Sequence, residues 1–161
     1  MKSIIIIPSR MASTRFPGKP MMKIDGIPMI QRVWELAIES NIGDVYVACS
    51  EKNVYDLIIS IGGIPILTNP DLPSGTDRIY SALKQLKNMS EIECVINLQG
   101  DMPLINPNII RKVIEPIQKN YDVGTLVTTL KEDELNNPNI TKAVVDWKND
   151  EIGEAVEFYR L

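Results

Sequence analysis

Four consecutive isoleucines, Ile4 to Ile7, follow Ser3 near the start of the chain. Successive side chains of a strand point to opposite faces, so a strand apolar at every position has to be buried on both. The rest of the chain repeats the theme. Asp44–Ala48, Ile64–Leu67, Cys94–Leu98, Gly124–Thr129 and Lys142–Asp146 read as further strands. Segments of helical period lie between the early ones: Ile30, Val33, Trp34, Ala37 and Ile38, then Val54, Leu57, Ile58 and Ile61, then Ile79, Tyr80, Leu83 and Leu86. A fourth stripe, Ile109, Ile110, Val113, Ile114 and Ile117, is opened by Pro107. Strand and helix in alternation predict an α/β fold in three layers, a mostly parallel sheet covered by helices on both faces. At 161 residues, with 44% hydrophobic and 24% charged, the chain is expected to be one domain, 1–161, with a sizeable core. The polar turn at residues 136–139 is the one place where a boundary can be argued.

Ligands of such sheets bind at the carboxyl ends of the strands, and the polar motifs follow the strands. The first strand runs into Pro8-Ser-Arg-Met-Ala-Ser-Thr-Arg-Phe-Pro-Gly-Lys19, which carries Arg10, Arg15 and Lys19 in a chain of net charge -4. Ser13 and Thr14 add hydroxyl donors, and Gly18 allows close backbone approach. Fixed cations and donors after a buried strand suit a polyphosphate. The loop matches neither Gly-x-x-x-x-Gly-Lys-[Ser/Thr] nor Gly-x-Gly-x-x-Gly. Ser74-Gly-Thr-Asp-Arg78 reads as a helix start, where Ser74 or Thr76 caps the helix or, with Gly75 and Arg78, contacts a base or phosphate. In Asn97-Leu-Gln-Gly-Asp-Met-Pro103, Asp101 either caps a turn or holds a divalent cation of the kind phosphoryl and nucleotidyl transfer require.

Other classes drop out. There is no histidine, which removes a His general base, a Ser-His-Asp triad and His-ligated metal. A sequence pI of about 4.9 argues against a nucleic-acid partner. No apolar stretch approaches the roughly 20 residues of a membrane span, so no membrane partner is expected. Cys49 and Cys94 read as small buried thiols of a cytoplasmic protein.

Taken together, Ile5–Pro20, Gly62-Gly63, Ser74–Arg78, Gln99-Gly-Asp-Met-Pro103, Asn137-Pro-Asn139 and Lys142–Asp146 resemble the 3-deoxy-manno-octulosonate cytidylyltransferase (CMP-KDO synthetase) family over nearly the whole chain. The resemblance implies a Rossmann-like nucleotidyltransferase fold of the glycosyltransferase-A-like kind. It also implies a reaction: CTP and an eight-carbon acidic sugar give the CMP-sugar and pyrophosphate, for lipopolysaccharide synthesis. Residue by residue, Arg10, Ser13, Arg15 and Lys19 would hold the CTP phosphates, and Ser74, Gly75 and Arg78 would contact the nucleotide. Gln99 would lie near the base or sugar, and Asp101 would bind Mg2+, with Arg10, Lys19 and Asp101 as the catalytic set. Met102 stands where many members carry an acidic residue, and Cys49-Ser50 replaces a common Thr-Asp pair. Phe158-Tyr-Arg160 resembles the family's mid-chain segment, so the chain is expected to be truncated at its carboxyl end. Most acceptor-sugar and homodimer contacts and a second metal-binding aspartate then have no counterpart. Three alternatives stay open: a CTP- and Mg2+-binding remnant without turnover, a transferase for another sugar acid, and a regulatory module without chemistry.

Overall fold

Ile5 and Ile7 face one way across the sheet and Ile4 and Ile6 the other, and all four are fully buried. The computed structural model describes residues 1–11 and 17–160. They fall into two compact units, Met1–Ile114 and Glu115–Leu161. The first contains a four-stranded, wholly parallel sheet of β1 (Ser3–Ser9), β4 (Asp44–Cys49), β5 (Ile64–Leu67) and β6 (Cys94–Asn97), in the order β5-β4-β1-β6. A short antiparallel pair, β2 (Lys23–Ile24) and β3 (Ile27–Pro28), precedes α1 (Met29–Glu39). Asp25 and Gly26 both take positive φ, the conformation of the tight hairpin turns that Asp-Gly favours.

The helices follow from the direction of travel. The chain steps outward from β1 to β4 to β5 through α1 and α2 (Lys52–Ser60), whose Ile30, Val33, Ala37, Val54 and Ile58 pack with Ile5, Ile7, Val45 and Val47. It then returns past β1 to β6 through α3 (Gly75–Leu83), whose Ile79 and Ala82 pack on the opposite face with Ile4, Ile6 and Ala48. Reversing direction while keeping right-handed crossovers obliges α3 to change faces. Helices on both faces give the three layers expected.

Two expectations need correction. The fourth helical stripe breaks into α4 (Pro107–Lys112) and α5 (Glu115–Gln118), because Pro116 has no N–H for the carbonyl four residues back and its ring crowds that position. Gly124–Thr129 forms no strand. Its apolar character is that of a strand, but no described strand pairs with it, and Leu126 and Val127 are exposed. In the second unit β7 (Lys142–Trp147) and β8 (Gly153–Tyr159) form an antiparallel hairpin with a bulge beside Val144 and Val145. Among the described residues no helix is long and apolar enough to cross a membrane.

Candidate active site

All the parallel strands point their carboxyl ends to one edge, and the polar motifs sit in the loops leaving it. β1 hands the chain to Arg10 and Met11. The loop is closed at its base, where the Gly18 N–H donates to the Met11 carbonyl oxygen at 3.0 Å. Gly18 has φ 76, a left-handed value that favours glycine. A 3-10 turn over Lys19–Met21 follows, anchored by buried Pro20. It sends the Lys19 ammonium to Asp101, where Nζ donates to Oδ2 at 2.7 Å.

Asp101 arrives from the other side of β1, on the loop after β6. The approach is close. A Cβ on Gly100 would stand 2.9 Å from the Pro8 carbonyl oxygen and 3.3 Å from Ile30 Cδ1, so only glycine lets the two loops meet without displacement. Gly75, at the first turn of α3, faces the same spot: its Cβ position lies 3.4 Å from Pro8 Cγ and 3.8 Å from Gln99 Oε1. Ser74 caps that helix, its Oγ accepting the Asp77 N–H at 3.1 Å. Gln99 donates through Nε2 to Asn97 Oδ1 at 2.6 Å, which fixes the direction of its amide.

The side chains of Lys19 and Asp101 remain 35% and 51% exposed, so their ion pair contributes little to stability. Its importance is chemical. An ammonium, a carboxylate, an amide and a helix start share one strand edge, and together they can hold an anionic ligand and its counter-ion. Asp101 already carries a cation in the Lys19 ammonium, which shows that its carboxylate suits positive charge. Among the described residues no group of three or more acidic or thiol side chains could hold a metal ion. Asp101 therefore offers a divalent cation one protein carboxylate at this edge, and Lys19 is already paired with it.

A family profile described as cytidylyltransferase matches residues 4–157. The chain belongs to the cytidylyltransferase family. It is 44% identical over 160 residues to the 3-deoxy-manno-octulosonate cytidylyltransferase of Paramagnetospirillum magneticum, covering 98% of this chain and 65% of that protein. With the protein of that name from Parvibaculum lavamentivorans the identity is 41% over 159 residues, covering 98% and 62%. The chain thus spans somewhat under two thirds of the length of these curated relatives. A solved CMP:2-keto-3-deoxy-manno-octonic acid synthetase complexed with CTP superposes with a TM-score of 0.81 at 34% identity, covering 98% of this chain and 64% of that one.

In this chain the residues singled out from sequence separate into groups. Lys19, Ser74, Gly75, Gln99 and Asp101 gather at the strand edge. Ser13 and Arg15 lie outside the described residues. Arg10 opens the loop and is exposed, yet its charge reaches Arg78. Arg78 itself is only 1% exposed. Its Nη1 donates to Thr68 Oγ1 at 2.5 Å and to the Asn69 carbonyl at 3.2 Å, and its Nη2 to the Pro70 carbonyl at 3.3 Å. Thr68 donates in turn to the Cys49 carbonyl at 3.0 Å. Arg78 therefore fastens the β5–α3 loop to the end of β4. Burial lowers its pKa, the Glu51 carboxylate opposes that shift, and Arg10 adds to it.

Both cysteines are free thiols, and Cys49 is buried as expected, whereas Cys94 is only partly buried. Burial, helped by the nearby Glu51 charge, pushes the Cys49 thiol up to about 11, which keeps it protonated and unreactive at neutral pH. Sequence reasoning did not single out the steric demand at Gly100 or the carboxylate of Glu51. A charged residue just past the apolar run of β4 was the available signal for Glu51.

Proposed function

We propose that this chain binds CTP with Mg2+ at the carboxyl edge of its parallel sheet, as the nucleotide-binding part of a 3-deoxy-manno-octulosonate cytidylyltransferase. The Lys19–Asp101 contact carries the reading. It brings an ammonium for phosphate and a carboxylate for a divalent cation together at the edge where α/β proteins hold nucleotides. In the reaction the anomeric hydroxyl oxygen of the sugar acid bonds to the α-phosphorus of CTP as that hydroxyl loses its proton to solvent water. The bond from the α-phosphorus to the bridging oxygen breaks, and pyrophosphate leaves. Lys19 and Arg10 orient the triphosphate and offset its charge. The first turn of α3, with Ser74 and Gly75, and the Gln99 amide position the nucleoside. Asp101 would hold Mg2+, which when bound neutralises charge on the phosphate oxygens. No covalent intermediate with the protein is needed, so a chain without histidine can support this chemistry by orientation and charge alone. The reading assigns the protein to the cytoplasm and to lipopolysaccharide synthesis.

Calorimetry with CTP, with and without Mg2+, tests the binding, and a pyrophosphate-release assay with the sugar acid tests turnover. Lys19→Ala is expected to weaken CTP binding by about 1.5–3 kcal/mol, the range for a charge-assisted contact. Asp101→Asn is expected to abolish the Mg2+ dependence while leaving the melting temperature of the nucleotide-free protein close to wild type. CTP binding that ignores both substitutions would remove this edge from the site. Binding without release, across several sugar acids, supports nucleotide binding without turnover.

A further inference from the structure

Glu51 follows β4 and begins α2 at the same sheet edge, two residues past Cys49, which lies opposite Ser9 of β1. Its Oε1 accepts the N–H of Met11 at 3.2 Å, a contact between residues 40 apart in the chain. Met11 is also the residue whose carbonyl receives the Gly18 N–H, and its side chain packs against the main core. One backbone unit thus ties the departing end of the cationic loop to β4 and to the loop's returning end.

The second carboxylate oxygen is unusual. Among the described residues Glu51 Oε2 has no hydrogen-bond partner although it is buried, and the same holds for Ser9 Oγ at the end of β1 and Ser50 Oγ just past β4. A buried carboxylate oxygen without a donor costs free energy, and such groups in native proteins call for a reason. The Glu51 charge also reaches the buried Arg78 guanidinium, where it opposes the lowering of the Arg78 pKa by burial. A helix cap does not explain the arrangement, because the Glu51 side chain makes no capping hydrogen bond to α2. What Glu51 demonstrably holds is Met11.

We propose that Glu51 is a positioning residue for nucleotide binding, clasping the base of the cationic loop through the Met11 N–H. The inference rests on the reading of that loop as a CTP phosphate site.

Two variants and two readouts test it. Glu51→Gln keeps an acceptor oxygen for the Met11 N–H, whereas Glu51→Ala removes it. In the nucleotide-free protein, amide exchange at Met11 is expected to accelerate about tenfold in Glu51→Ala and to stay near wild type in Glu51→Gln, with the amides of β1 and β4 unchanged in both. CTP affinity by calorimetry is expected to fall about tenfold in Glu51→Ala and to remain within about threefold of wild type in Glu51→Gln. If Glu51→Ala does not fold, Glu51→Met, which fills the space without an acceptor, carries the same comparison. Unchanged Met11 exchange and CTP affinity in the acceptor-free variant would overturn the inference. So would a loss of affinity matched by a general loss of protection across β1 and β4, because Glu51 would then act on the fold alone. If wild-type protein binds no CTP, the functional reading fails, while Met11 exchange still decides whether Glu51 holds the loop.

Discussion

A single methyl group on Gly100 would press against the carbonyl of Pro8, 2.9 Å away, and against Ile30, which helps bury β1. The Asp101 carboxylate depends on that closeness, because it reaches Lys19 only if its loop lies flat on the end of β1. Gly100→Ala is expected to destabilise the protein by about 1–3 kcal/mol through overpacking. It should also weaken Mg2+-dependent CTP binding by shifting Asp101. Urea unfolding and CTP calorimetry read the two effects separately, and wild-type values in both would show that the strand end yields freely. Arg78 teaches a related lesson. From sequence it reads as a cation of the Ser74–Arg78 motif that contacts a base or phosphate. Its burial and its three protein acceptors depend on residues 68–70, which curve back to it from the end of β5.

At the scale of elements, the helix stripes and the strands of the first unit were legible because burial imposes a period that is local in the chain. The Asp25-Gly26 hairpin, not expected from the sequence, has a local cause too, in two residues able to take positive φ. The split between α4 and α5 also has a local cause, Pro116, which outweighs an apolar stripe that continues past it. Gly124–Thr129 was misleading for the opposite reason. A strand needs a neighbour's ladder, and apolar character says nothing about whether a neighbour exists. The start of α3 combines a local cap with a site contribution, so its energetics can be predicted. Ser74→Ala removes the acceptor for the Asp77 N–H and is expected to cost about 1 kcal/mol in urea unfolding, with the denaturant slope unchanged. A variant as stable as wild type would mean that the first turn is satisfied by other groups.

Across the whole molecule, stability is unevenly distributed. Every buried apolar side chain among the described residues belongs to Met1–Ile114, whereas Val144, Trp147, Val156 and Phe158 of the β7–β8 hairpin are exposed. Amide exchange should therefore be slowest in β1 and β4, which lie inside the sheet, and faster throughout Glu115–Leu161. Equal protection in the two units, measured on the protein without ligand, would contradict this. The sequence by itself determined that the chain builds a buried parallel sheet and sends its polar motifs to the strand ends. That much follows from apolar periodicity, which each segment carries within itself. Only the tertiary structure decided which of those motifs touch. The order β5-β4-β1-β6 sets β1 between β6 and β4, so Asp101 meets Lys19 from one side and Glu51 takes Met11 from the other. Those contacts join residues 82 and 40 apart, and no local pattern specifies which strand ends become neighbours.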